Sequence, residues 1–529
     1  MAPLEAPLLS PPSVGRGAAA DKQFAFPPFR AYNHNVVVTW ANCLVVGVAD
    51  SIWSGTVLAS YLYELMGRSN KFAGYVEAAQ GVATLLVALP LGYLADRTSK
   101  ARVIALGALV IPVAIGATAF AVVYGVAQHE ERSGANATAA NRTAGGGEGG
   151  GREPMLCFWI FMGAMCLWGV EQAITNGPAQ ALYADSIRTG ERSHYYTILF
   201  ALYLAASMLG PLISIVMFSI HGNEWDLPSL RNIFLAGLAV EAVGMFTFML
   251  FRDDCALEEE SEAVRSTSST AAPRATDAEE ASGAEKLPEA PPDEPSPHVW
   301  LVPYILFASS LCFALGSGMT VKFFPLFFKN DCGLSPIGVQ GVYAAMPPLM
   351  AAMSGVGTWV SKGLGRVQTM VAIKVVGVSL LVSMALLKDW VNPSGDHAES
   401  GSGEAPPPHI HVGRAVVMVI IYLVRTGLMN CTYPLEESIL MDYVPKNTRA
   451  RWKALDSVGV FGWCGSAAIG GYLADVNGYA FTFLITAAVQ YLATALQASL
   501  IFIVPRREMR EATATDAPSA VIEPEASIQ

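Results

Sequence analysis

The chain alternates between long apolar runs and short polar stretches. Runs long enough to cross a bilayer, which takes about 20 helical residues each, fall at 36–61, 72–94, 103–127, 155–178, 195–218, 231–251, 299–324, 337–360, 368–388, 414–435, 454–474 and 480–504. The pattern predicts an all-α membrane protein with twelve transmembrane helices. Residues 1–35 contain Pro and Ala but no short apolar core with a cleavage site. No removable signal peptide is expected, and the first helix serves as an uncleaved targeting signal.

Composition agrees with a chain in lipid. Of the 529 residues 53% are hydrophobic and only 15% charged, against the usual quarter for a soluble protein. The formal net charge of -11 is concentrated in one place, because residues 252–298 hold 13 Asp and Glu against 4 Lys and Arg. This stretch, rich in Glu, Ser, Ala and Pro, has too little apolar area to order itself and is expected to be a disordered linker. It divides the chain into 36–251 and 299–504, each with six runs. Residues 505–529 form a tail. Six of the eight cysteines (Cys43, Cys157, Cys166, Cys312, Cys431, Cys464) sit inside apolar runs at irregular spacing, which gives neither a disulfide framework nor a metal pattern.

Orientation follows from the basic residues of short loops. The loops after helices 2, 4, 8 and 10 carry Arg97, Lys100 and Arg102; Arg188 and Arg192; Lys362 and Arg366; and Lys446, Arg449, Arg451 and Lys453. With twelve spans these loops share one side, so that side, both termini and the linker are expected in the cytoplasm. Two N-glycosylation sequons, Asn136 and Asn141, fall in the loop after helix 3, which this topology places outside.

The two halves echo one another. "YADSIRTGERSHYYTI" after helix 4 aligns with "LMDYVPKNTRARWKAL" after helix 10, matching Asp185 to Asp442, Arg192 to Arg449 and Tyr195 to Trp452, 257 residues apart. Parallel six-helix repeats joined by a long middle loop are a transporter architecture.

"GYLADRTSKAR", Gly92 to Arg102, resembles the loop signature of the major facilitator superfamily, and it stands in the corresponding place after helix 2. It departs from the family pattern at Ser99, where Gly is usual, and at Ala101, which leaves one basic residue fewer. The matching loop of the second half, "GTWVSKGLGRV", keeps Gly357, Lys362 and Arg366 but has Ser361 in place of the Asp. The resemblance implies two six-helix halves around a central cavity lined by helices 1, 4, 7 and 10. It also implies a gating loop, Gly92, Asp96, Arg97, Lys100 and Arg102, that latches the cytoplasmic side against Arg188, Arg192 and the start of helix 11 near Asp456. Topology alone would account for the basic residues but does not require Asp96.

Ionisable residues inside spans are costly and usually face a cavity. Near mid-helix stand Asp50, Glu77, Glu171, Glu241 and Arg425. Helical spacing stacks Arg425, Thr432 and Glu436 on one face, Glu77, Gln80 and Thr84 on another, and puts Glu171 one turn from Thr175. The site expected for substrate and coupling ion is Asp50, Glu77, Glu171, Arg425 and Glu436, with Arg425 facing Asp50. The alternative for each is a structural ion pair. Glu241 lies on helix 6, which the resemblance makes peripheral. Lys322 and Lys374 sit near helix ends, where snorkelling would explain them.

"AASMLGPLIS" in helix 5 partly resembles the small-residue, Gly-Pro pattern of the twelve-span drug and proton antiporters of the superfamily, through Ala206, Gly210, Pro211 and Ser214. Helix 11 is Gly-rich (Gly459, Gly462, Gly465, Gly470, Gly471), which suits close packing. No phosphate-cradling loop, metal-ligand cluster or nucleophile motif is found, so no enzyme, cofactor or metal is expected and transport must draw on a gradient.

The leading expectation is a proton-coupled secondary transporter of a small organic solute. A facilitator or symporter of an organic nutrient, with Arg425 on a substrate carboxylate, and a transporter-like sensor are the alternatives. Expected partners are the lipid bilayer, a small-molecule substrate and protons or another coupling ion, with no nucleic acid. The chain is read as a monomer in the plasma membrane, a vacuole or another endomembrane.

Overall fold

The computed structural model describes residues 32–140, 155–188, 192–257, 298–391, 412–444 and 456–504. Expectations for the N-terminus before these, for Asn141, Lys446, Arg449, Arg451 and Lys453, for 258–297 of the linker and for the tail from 505 lie outside the described residues.

Among the described residues every regular element is helical: α1 (His34–Trp53), α2 (Thr56–Leu65), α3 (Asn70–Arg97), α4 (Lys100–Ala108), α5 (Ile111–Ala140), α6 (Met155–Ile174), α7 (Gln180–Asp185), α8 (Arg192–His221), α9 (Leu227–Phe248), α10 (Val302–Gly318), α11 (Phe324–Asn330), α12 (Pro336–Leu364), α13 (Arg366–Leu386), α14 (Lys388–Val391), α15 (Val412–Cys431), α16 (Tyr433–Tyr443) and α17 (Asp456–Ala498). Helices follow from the apolar runs because, in hydrocarbon, a backbone must satisfy its own polar groups. Short polar residues start them: Ser99, Asp226 and Ser335 each accept an N–H from the first turn of the helix that follows. Gly365, with φ 100°, makes the corner between α12 and α13, and Gly478, with φ 79°, breaks α17. Both are backbone conformations that side chains oppose.

Among the described residues ten helical stretches are long and apolar enough to cross a membrane, the last of them the 45 residues Val458–Phe502. Large apolar side chains such as Leu89, Trp359 and Phe502 lie exposed on helix flanks, which suits lipid rather than water. The helices before residue 257 pack around Trp53, Trp168 and Phe234, with ring centroids 5.1 and 5.3 Å from Trp53. Those after residue 298 pack around Phe324, Tyr422 and Phe483, with centroids 4.6 and 5.0 Å from Phe324. The two sets meet where α3 lies along α17 and α8 along α12.

Two expectations are corrected here. Asn136 was placed in a loop, but the backbone of α5 runs on as helix to Ala140, since Gln128, Glu130, Glu131 and Arg132 are good helix formers. The linker was expected to be disordered from 252, yet residues 252–257 are docked. Arg252 O and Cys255 O accept from the side chains of Asn35 and Asn33, Leu257 N donates to Asp185 O, and Asp253 accepts from Ser99 and from Ala101 N at the start of α4. An aspartate at a helix N-terminus is favoured by the orphan N–H groups there.

Candidate functional site

Four helical runs are interrupted well inside their length. The first breaks at Ser54–Gly55, just beyond Asp50, where Ser54 donates through both N–H and hydroxyl to Asp50 O. The run Met155–Asp185 passes through a π-helical turn at Thr175–Ala179 that contains Gly177 and Pro178, leaving Asn176 and Gly177 exposed. Helix α10 ends at Gly318 and α11 begins at Phe324, with a tight turn at Val321–Phe323 that carries Lys322. Helix α15 ends at Cys431 and α16 begins at Tyr433, followed by Pro434. Thr175 and Thr432, each at a break, stand 257 residues apart, the spacing that relates Asp185 to Asp442. Interruptions inside apolar runs point to a binding site, because backbone freed from the helix there must meet polar partners.

Ionisable side chains gather at three of these breaks. Lys322 Nζ lies 3.1 Å from Glu77 Oε1 and donates to Ser54 O at 3.5 Å, so the turn between α10 and α11 is tied to the break after α1. Lys322 therefore does not snorkel; the end of α10 turns it inward, with its side chain only 22% exposed. Asp50 is within electrostatic reach of Lys322 and Glu77, and Glu171 within reach of Asp50. Thr175 donates to Glu171 Oε1 at 2.7 Å, across the start of the π turn. Glu241, fully buried on α9, is within reach of Asp50 and Glu171, and neither of its oxygens has a hydrogen-bond partner among the described residues. Beside Asp50, Ser51 donates to Ala206 O at 3.0 Å, and an added Cβ on Gly210 would come 2.0 Å from Ser51 Oγ. The Gly-Pro segment of α8 thus packs against α1.

The structure does not bring Asp50 and Arg425 together. Arg425 is 3% exposed; its Nη2 is 3.5 Å from Gln490 Oε1, its guanidinium lies 5.5 Å from the Phe324 ring centroid, and its Nε has no hydrogen-bond partner among the described residues. The cation within electrostatic reach of Asp50 is Lys322, which pairs directly with Glu77. Arg425 and Glu436 keep to one side of their helical run, where they meet Gln490 and Gln497, seven residues apart on α17. Glu436 also pairs with Lys374. Lys374, also expected to snorkel, is 3% exposed and sits 3.9 Å from the Phe313 ring centroid. Of the stripe Glu77, Gln80 and Thr84, only Glu77 reaches the site; Thr84 donates to Gly169 O and Gln172 on α6.

At the gating loop Asp96 is exposed and makes no ion pair among the described residues. Arg97 lies 4.4 Å from the Tyr93 ring centroid, Lys100 pairs with Asp185, and Arg102 N donates to the Ser99 cap. Arg188 is exposed, an added Cβ on Gly92 would meet nothing, and the side chain of Arg192 lies outside the described residues.

The opposite end is sealed. Asp475 accepts from Asn70 N and Ser69 Oγ at 2.6 Å, from Asn70 Nδ2 at 2.9 Å and from Lys71 N at 3.1 Å. Tyr479 donates to Asn70 Oδ1 at 2.8 Å, and Lys329 pairs with Glu64 between the rings of Tyr63 and Trp225. An added Cβ on Gly74 would lie 2.4 Å from Ala467 O and one on Gly81 2.3 Å from Cys464 Cβ. Reading the sequence for charges inside spans passed over Asp475, which stands at a span end. A signal was present: Gly-Tyr-Leu-Ala-Asp occurs at 92–96 and again at 471–475.

Apolar helices interrupted around a knot of charges define an integral, multi-pass membrane protein of the transporter class. The sequence matches the family model described as Major Facilitator Superfamily over residues 36–395, and the chain belongs to that superfamily. No curated protein sequence matches it. Among solved structures it is similar to a bacterial homologue of the iron transporter ferroportin in an inward-facing state, with a TM-score of 0.56 at 14% identity over 88% of this chain and 98% of that one. It is also similar to a peptide transporter POT in complex with sulfate (TM-score 0.56, 13% identity, 91% of this chain and 96% of that one). A third is the nucleoside transporter NupG (TM-score 0.52, 11% identity, 88% and 99%). Identities this low establish the shared fold. Family and fold together make the chain a secondary transporter of a small molecule rather than an enzyme.

Proposed function

We propose that the chain moves a small organic solute by alternating access, coupled to protons, with twelve spans in two six-helix halves, 36–251 and 299–504. Two features support twelve spans. Helix α12, not among the ten apolar stretches, is 29 residues long even with Pro347 and Pro348 in it, and Gly478 divides the 45-residue stretch into two lengths that each suffice to cross. The end with Arg97 and Lys100 is read as cytoplasmic and the end with Asp475 as external.

The observation that carries the reading is the meeting of Asp50, Glu77, Glu171 and Lys322 at the interruptions of α1, the Met155–Asp185 run and the α10–α11 turn. Lys322 belongs to the second half and its carboxyl partners to the first, so the pairing depends on how the halves sit. In a low-dielectric site a carboxylate is stable without a proton only while a cation faces it. When the halves move, Asp50 exchanges Lys322 for a proton, and this links the gradient to the movement.

Two latches suit the two end states. In the state described, Asp475 holds the first turn of α3 on the outside while Asp96 is unengaged. In the other, Asp96 engages the first turn of α17 near Asp456, with Arg188 and Arg192 at hand, and Asp475 lets go. The recurring pentapeptide places a carboxylate at each end of the α3–α17 contact, and a helix N-terminus is a ready partner for either.

The test is uptake by proteoliposomes of the purified chain under an imposed pH gradient, with a mixture of organic solutes outside and mass spectrometry of the contents. Accumulation that collapses with the gradient supports the reading. Absence of both accumulation and counterflow for every solute overturns it.

A further inference from the structure

Arg425 is a buried cation with no carboxylate beside it among the described residues. A guanidinium has five N–H donors and accepts no hydrogen bond, and here the acceptor within reach is Gln490 Oε1, at a long 3.5 Å. Its Nε has none, and no carboxylate of the described residues lies within 4 Å. The hydroxyl groups nearby are neutral: Tyr422 lies within electrostatic reach, and its hydroxyl donates to that of Tyr343 at 3.5 Å. What the place lacks is an acceptor with negative charge. Burying a guanidinium without one is costly, and proteins seldom retain such a charge unless a partner arrives.

The surroundings link this place to the Lys322 turn. Phe324, against the guanidinium, is the first residue of α11 and follows directly on the turn that carries Lys322. Gln490, on the other side, donates to Ser317 Oγ at 3.2 Å, just before the same turn. Lys329 at the end of α11 makes the outer ion pair with Glu64. The turn at Met319–Phe323 and this ion pair bracket α11, the helix whose first residue, Phe324, covers the guanidinium.

Resting on the transport reading above, we propose that the transported solute is an organic carboxylate whose carboxyl group pairs with Arg425. A planar fork of N–H groups fits a carboxylate with two parallel bonds. One positive charge among aromatic rings balances one negative charge, whereas a doubly charged phosphate would leave an excess. With the Asp50 group taking the proton and Arg425 the anion, the two enter together, which makes the transporter a symporter.

Uptake into proteoliposomes is measured under an inward proton gradient for three panels matched in size: aliphatic mono- and dicarboxylates, their primary amides, and the corresponding amines. At least one carboxylate is expected to accumulate and its amide not. Arg425→Gln should lower that accumulation at least tenfold, while Arg425→Lys, which keeps the charge but loses the fork, should raise KM about tenfold with the maximal rate largely retained. A monodisperse chromatographic profile for both variants shows that they fold. Accumulation of amines or amides alone, or carboxylate uptake untouched by Arg425→Gln, overturns the inference and leaves the transport reading standing. Absence of flux for any panel and for counterflow overturns both.

Discussion

The carboxylate of Asp475, on α17, holds the amide N–H groups of Asn70 and Lys71 at 2.6 and 3.1 Å, and so closes the first turn of α3 from across the contact between the two sets of helices. This contact is polar, directional and reversible. It stands beside backbone-to-backbone packing that is none of these.

Asp475→Asn should loosen that end. Replacing the carboxylate by an amide keeps one acceptor and loses the charge-assisted bonds, worth on the order of 1–3 kcal/mol, or a shift between states of about 5- to 150-fold. Hydrogen exchange at the amides of Asn70 and Lys71 should speed up at least fivefold. Unchanged protection at these two amides would show that Asp475 is not a latch.

Gly81→Val acts on the same contact by bulk. Its added carbons meet Cys464 Cβ at 2.3 Å, and overpacking of this kind costs about 1–3 kcal/mol. The expected outcome is a transporter biased away from the externally sealed state, with exchange raised along 464–475 and a lower maximal rate. A variant with wild-type exchange and rate would show that α3 and α17 do not need to touch for the cycle.

Asp50→Asn should abolish uptake driven by a pH gradient and spare counterflow, because a residue that carries the coupling proton is dispensable for exchange at equal pH. If the variant still concentrates solute at wild-type rates, coupling belongs to Glu171 or Glu77.

Lys322→Met leaves Glu77 and Asp50 without their cation. Removing one member of a mostly buried pair costs about 3–5 kcal/mol, much of it from the charge left behind, so thermal stability in detergent should fall. The double variant Lys322→Met with Glu77→Gln should recover most of the loss. A double variant as unstable as the sum of the single ones would mean that the pair is not coupled.

The apolar runs made the helices legible, since the need to satisfy backbone in lipid leaves few alternatives. Asp50, Glu77 and Glu171 were legible as well, because an ionisable residue inside a span asks for a reason. What spacing along one helix could not give was the partner across helices. Lys322 sits near the end of an apolar run and reads as a snorkeller, and only the turn at Val321–Phe323 aims it at Glu77. Arg425 and Glu436 repeat at helical spacing and meet Gln490 and Gln497 of one helix, but that spacing does not show Lys374 on α13 as the partner of Glu436. Breaks in the helical runs come from single Gly, Pro and Thr positions whose effect depends on what packs beside them.

The approach of α3 to α17 at Gly74 and Gly471, where an added Cβ would come 2.4 Å from Ala467 O and 2.7 Å from Asn70 O, bears on leakage. Where main chain meets main chain with no side chain between them, a gap of half an ångström already forfeits much of the dispersion attraction. Such a seam is either shut or open and has little stable middle ground. A file of water molecules able to pass protons needs just that middle ground. If the proposed proton coupling holds, the protein is served by a seal that fails all at once, because a half-open one would drain the gradient without moving any cargo.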